Sequence, residues 1–100
     1  MTVSVAEQWK KHIPWVEIID GQIIVKIWHV IEHPMMEQHY IMMVDILRLT
    51  QAWYISIKRV VLKPSDKPEV VLNSNDLEPG SYKVQAHCNI HGVWENEILI

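Results

Sequence analysis

Trp15-Val-Glu-Ile-Ile-Asp20-Gly21-Gln22-Ile-Ile-Val-Lys-Ile-Trp28-His-Val30 is the stretch that decides the fold class. Two apolar, β-branched runs flank Asp20-Gly21, a dipeptide that tolerates the positive φ angles of a two-residue hairpin turn. In the second run Ile23, Val25 and Ile27 alternate with Ile24, Lys26 and Trp28, which is the period of a strand with one face on a core. Tyr40 to Leu49 is another long run, rich in Ile, Met, Val and Leu. Gln51 to Leu62 follows, with Trp53, Ile55 and Ile57 on one face and Tyr54, Ser56 and Lys58 on the other. Lys63 to Pro68 is a turn cluster, Glu69 to Asn73 a short strand, and Ser74 to Gly80 a loop. Ser81 to His87 and Val93 to Ile100 complete about seven strands. No long segment keeps a helical period. Short strands and turn signals at this spacing predict an all-β fold, an immunoglobulin-like antiparallel β-sandwich.

The chain has 100 residues, which suits one domain over 1–100. Its 49% hydrophobic content is enough to build a core without cross-links. A net charge of −3 gives no electrostatic case for nucleic-acid binding. The single cysteine excludes an intrachain disulfide, and it excludes an all-cysteine iron cluster, which needs four thiolates. Met1 to Lys10 lacks the apolar centre of a signal peptide, and no run approaches the roughly 20 apolar residues of a membrane span. The expectation is a cytoplasmic protein without nucleic-acid or membrane partners, and a lone thiol fits that reducing compartment.

Six histidines are many for this length. Cys88-Asn-Ile-His91-Gly92-Val-Trp94-Glu-Asn96 holds the cysteine, a histidine and a turn glycine. His33 and His39 bound the segment His33-Pro-Met-Met-Glu-Gln-His39, and His12 stands in Lys10-Lys11-His12-Ile-Pro14. Each of these alone is a weak signal: a lone cysteine is usually a buried small hydrophobe, and loop histidines are usually solvated. All five fall in loops or at strand ends, which suits a site assembled at one end of a rigid scaffold. Four imidazoles and one thiolate suit iron, zinc or copper rather than magnesium or calcium. Five donors exceed the four of structural zinc and leave an octahedral ion one open position.

The thiolate would push electron density toward that position, where an oxidising diatomic could take one electron. The metal's charge and the backbone N–H groups of Asn89 to His91 would keep the sulfur anionic. Lys11, beside His12, would draw an anion to the open position and hydrogen-bond it. His29 and His87 read as structural or supporting residues, Trp94 as a shield against water, and Met35, Met36, Met42 and Met43 as core filler and surface edge. A rival reading is a blue-copper-like electron-transfer module, but that class wants a methionine shortly after the last histidine, and none follows His91. A non-catalytic interaction domain would hold no stoichiometric metal, and Cys88→Ser would leave its stability unchanged.

Together the motifs resemble the single-iron superoxide reductases, the neelaredoxin and desulfoferrodoxin family. Cys88 to Asn96 is nearly that family's iron-site tail. Glu32-His33-Pro34 followed by Glu37-Gln-His39-Tyr-Ile41 is similar to its two-histidine segment, and Trp9-Lys-Lys11-His12-Ile-Pro14 to its N-terminal loop. The order and spans agree over nearly the whole chain. The resemblance implies one iron ion per chain, with His12, His33, His39 and His91 equatorial, Cys88 axial and the sixth position open. It also implies one-electron reduction of superoxide with two protons to hydrogen peroxide, without release of dioxygen. Lys11 would guide the substrate, a rubredoxin-like protein would donate electrons, and the assembly would be a homodimer or homotetramer. The family usually has a capping glutamate two residues before the first histidine. Here Lys10 stands there, so the oxidised iron is expected to stay open or to bind water, hydroxide or an added anion unless Glu7 or Glu17 takes over.

Overall fold

The computed structural model describes residues 13–27 and 35–100. Seven strands run through them: β1 (Trp15–Ile19), β2 (Gln22–Lys26), β3 (Ile41–Leu49), β4 (Tyr54–Val61), β5 (Glu69–Asn73), β6 (Ser81–Cys88) and β7 (Gly92–Leu99). Asp20 and Gly21 take φ of +49° and +76°. Positive φ at both central residues is the type I′ turn, whose twist matches the strands it joins. β1 and β2 therefore pair antiparallel from Trp15↔Lys26 to Ile19↔Gln22.

The strands form two antiparallel sheets, a three-stranded one in the order β1-β2-β5 and a four-stranded one in the order β4-β3-β6-β7. The sandwich expected from the sequence is observed. The alternation read in β2 is also observed, since Ile23, Val25 and Ile27 are all buried. They pack in one cluster with Val44 and Ile46 of β3 and with Tyr82, Val84, Ala86 and Cys88 of β6. Each fully buried aliphatic side chain contributes about 1.5–3 kcal/mol. Tyr82 also donates its hydroxyl to the carbonyl of Glu78, four residues upstream, an arrangement like the tyrosine corner of immunoglobulin sandwiches.

Two strand expectations change. The paired part of β2 ends at Lys26; Ile27 N–H then bonds to Pro68 O at 2.9 Å, and residues 28–30 lie outside the described residues. The run from Gln51 becomes strand only at Tyr54. Thr50 causes the delay, because its Oγ1 accepts from Trp53 N at 3.2 Å and donates to Trp53 O at 2.6 Å, closing a turn over Gln51 to Trp53. Leu47 pairs with Ser56 while Ile46 pairs with Lys58, so Ile57 is the extra residue of a bulge and the two-residue period breaks there. Trp53, Ile55 and Ile57 are all exposed, Trp53 at 68%.

Asp45 is the one buried charged side chain among the described residues. It accepts from Ser56 Oγ, with Arg59 Nε at 3.4 Å, and so pins β4 across the bulge. The described residues contain a single 3-10 turn (Ser74–Asp76) and no helix long and apolar enough to cross a membrane.

Candidate metal centre

Along β6, alternation sends Tyr82, Val84, Ala86 and Cys88 to the core side. Cys88 is the last of these, 3% exposed, so its thiol lies where the core reaches the end of the sheet. Asn89, Ile90 and His91 then reverse the chain, and Cys88 pairs with Gly92 at the start of β7. Gly92 has φ of +79°, the left-handed conformation a three-residue hairpin loop requires and other residues resist. The reversal folds His91 back over the cysteine. Its N–H donates to Cys88 Sγ at 3.5 Å, and its Nδ1 lies 3.9 Å from the same sulfur. Trp94 Nε1 donates to His91 O at 3.1 Å and holds the loop from the β7 side.

His39 arrives from the segment before β3. Met36 and His39 exchange both backbone hydrogen bonds at 3.0 Å, closing a tight turn over Glu37 and Gln38. The imidazoles of His39 and His91 meet edge to face, with centroids 4.9 Å apart. Nε2 of His39 is out of contact with solvent. Ligand atoms of His39, Cys88 and His91 all lie within 4.8 Å of one another. Donors about 2.0–2.3 Å from a shared ion stand about 3–4.5 Å apart, close to the spacing here, so a small closure of the cluster would let it hold a single metal with N and S ligands. Burial is graded across it, from buried Cys88 through half-buried His39 to exposed His91.

His39, Cys88 and His91 are thus brought together as expected, whereas Lys11, His12 and His33 lie outside the described residues. Asn96 Nδ2 donates to Pro14 O at 3.1 Å, which ties the chain two residues beyond His12 to β7. His29 is outside the described residues. His87 is on the opposite face of β6 from Cys88, between Met43 and Val93, with Nε2 shielded from solvent and without a hydrogen-bond partner.

The sequence matches the desulfoferrodoxin family over residues 4–97. The chain belongs to the desulfoferrodoxin family. It is 38% identical over 96 residues to a desulfoferrodoxin of Syntrophotalea carbinolica, covering 96% of this chain and 68% of that protein. It is 28% identical over 104 residues to a superoxide reductase of Pyrococcus abyssi, covering 92% of this chain and 90% of that one. Among solved structures, the superoxide reductase of Treponema pallidum is 30% identical, with a TM-score of 0.64 over 94% of this chain and 72% of that chain. The single-iron superoxide reductase of Giardia intestinalis shares the fold, with a TM-score of 0.76 at 20% identity over 91% of this chain and 99% of that chain.

The roles of two residues beside the His39, Cys88 and His91 cluster were not read from the sequence. Asn89 binds the His39 segment through both ends of its side chain. Met35, read there only as filler, accepts a hydrogen bond on Sδ from Ile41 N at 3.4 Å. The position of Asn89 between two ligands was a signal for the first; a thioether acceptor leaves no sequence signal.

Proposed function

We propose that this member of the desulfoferrodoxin family is a superoxide reductase, converting superoxide, one electron and two protons into hydrogen peroxide. The convergence of His39, Cys88 and His91 within 4.8 Å carries the reading. His12 and His33 would complete the ligand set for one iron ion per chain, which would supply a one-electron couple and an open position for a small anion. Cys88 gives the site its only anionic donor, and the His91 N–H to its sulfur stabilises that charge. The exposed side at His91 lets water deliver the protons. With Lys10 in place of a capping glutamate, an oxidised iron would stay open or would bind water, hydroxide or an added anion, unless Glu7 or Glu17 took over.

Electrons come from a small rubredoxin-like carrier, and the work is done in the cytoplasm, where a lone thiol stays reduced. The functional unit is a homodimer or homotetramer. Val61 and Val93, 76% and 52% exposed on the four-stranded sheet, are apolar surface of the kind subunits bury.

Mixing iron-loaded, reduced protein anaerobically with a superoxide pulse tests the reaction. Peroxide should form without dioxygen. Dioxygen release would mean dismutation instead, and decay no faster than in buffer would remove the activity altogether.

Lys11 draws the anion in through its charge. Lys11→Ala should slow the second-order reaction with superoxide and flatten its dependence on ionic strength, since charges beyond about 10 Å are screened at 0.1 M salt. An unchanged rate and salt slope would take Lys11 out of the mechanism.

A further inference from the structure

Of the three described ligand candidates, His39 has the least secondary structure behind it. The β3–β6 ladder ends at Ile41↔Cys88, and the Met36–His39 turn beyond it rests on one isolated bridge. A lone two-stranded turn is marginal in water, so something else must fix where the imidazole starts. Asn89 N donates to Tyr40 O at 3.2 Å, the last backbone bond between the two segments. There the chain turns toward His91, and the Asn89 side chain takes over from the ladder. Its Oδ1 accepts from Tyr40 N at 3.0 Å, and its Nδ2 donates to Gln38 O at 3.1 Å. One carboxamide therefore grips the residue before His39 and the residue after it. The amide orientation follows from its neighbours, because a flip would set donor against donor and acceptor against acceptor.

We propose that Asn89 is a positioning residue of the metal centre, its carboxamide latching the His39 turn onto the Cys88–His91 loop and so setting the distance between the donors. The inference rests on the reading of His39, Cys88 and His91 as one metal site. The latch explains the residue type. Aspartate keeps the acceptor but puts a carboxylate against Gln38 O, alanine keeps neither arm, and glutamine is one methylene too long. Groups that orient metal ligands typically govern affinity by about 10–100-fold. Asn89 is exposed, so water partly replaces the lost bonds and the loss is graded rather than total.

The test titrates apoprotein with Co2+ alone, reading thiolate-to-cobalt absorption, alongside amide hydrogen exchange at Tyr40. Asn89→Ala should bind Co2+ about 10–100-fold more weakly and lose protection at the Tyr40 amide. Asn89→Asp should keep that protection, because the acceptor remains, and bind with intermediate affinity. Wild-type cobalt affinity in Asn89→Ala, or an equally protected Tyr40 amide, would overturn the proposal. Should the alanine variant fail to fold, wild-type affinity in Asn89→Asp would overturn it as well. Cys88→Ser separates the two readings: cobalt absorption that survives it refutes the metal site itself, while Tyr40 exchange still reports on the latch.

Discussion

Cys88→Ser should abolish the sulfur-to-metal absorption of iron-loaded protein and weaken iron binding by at least about 100-fold, more than the loss of a residue that merely orients a ligand. The physical reason is acidity. A thiol near a metal and a backbone N–H gives up its proton at neutral pH, whereas a serine hydroxyl does not. The apoprotein should change little, since the substitution is nearly isosteric at a side chain 3% exposed and the hydroxyl can still accept from His91 N–H. The difference appears when metal is added. Iron at about 100 times its dissociation constant stabilises a folded state by about 2.7 kcal/mol. At about 4–8 °C per kcal/mol for a domain of this size, wild-type protein should melt about 10–20 °C higher with iron than without. Calorimetry on both proteins, with and without iron, checks this. A metal-dependent shift of equal size in the serine variant would mean that Cys88 binds nothing.

Ile46→Ala should give a large loss of stability while sparing the site. Ile46 is 1% exposed, on a central strand, with Val84 opposite it on β6. Emptying a buried aliphatic position costs about 2–5 kcal/mol, from lost transfer energy and from the cavity that remains. Total stabilities of such domains are about 5–15 kcal/mol, so at about 4–8 °C per kcal/mol the variant should melt roughly 8–40 °C lower. Ile46 lies several ladder steps from the Ile41↔Cys88 pair, so metal affinity measured below the melting point should stay near wild type. Ile41 is equally buried but paired with Cys88; truncating it should lower stability and metal affinity together. Denaturant unfolding and cobalt titration of both variants separate core from site. Equal losses of affinity would mean the centre depends on the whole core rather than on its own end of it.

The strands of this protein were readable because their signals are local. Asp20-Gly21 names its turn through the φ angles it permits, and Ile23, Val25 and Ile27 name their face through a period of two. The errors arose at one local signal passed over and at one tertiary one. The Thr50 hydroxyl bonds to Trp53 and delays β4, and the bulge at Ile57 breaks an alternation that looked continuous in the sequence. The Thr50 bonds join residues three apart and are local, whereas the bulge depends on which strand lies alongside.

The same division holds at the centre. The sequence by itself determined the inventory: one thiolate, a surplus of imidazoles, and a glycine able to turn the chain after His91. Ligand chemistry is a property of side chains, and turn chemistry of one or two residues. Tertiary structure decided what meets what. It placed His39 against His91, far apart in sequence, by pairing β3 with β6 so that Ile41 lies opposite Cys88. It also gave Asn89 its partners, Tyr40 and Gln38, and turned the Met35 sulfur to a backbone amide. Strand register is fixed by burial summed over two whole sheets, and a sum of that kind is not written in any single segment.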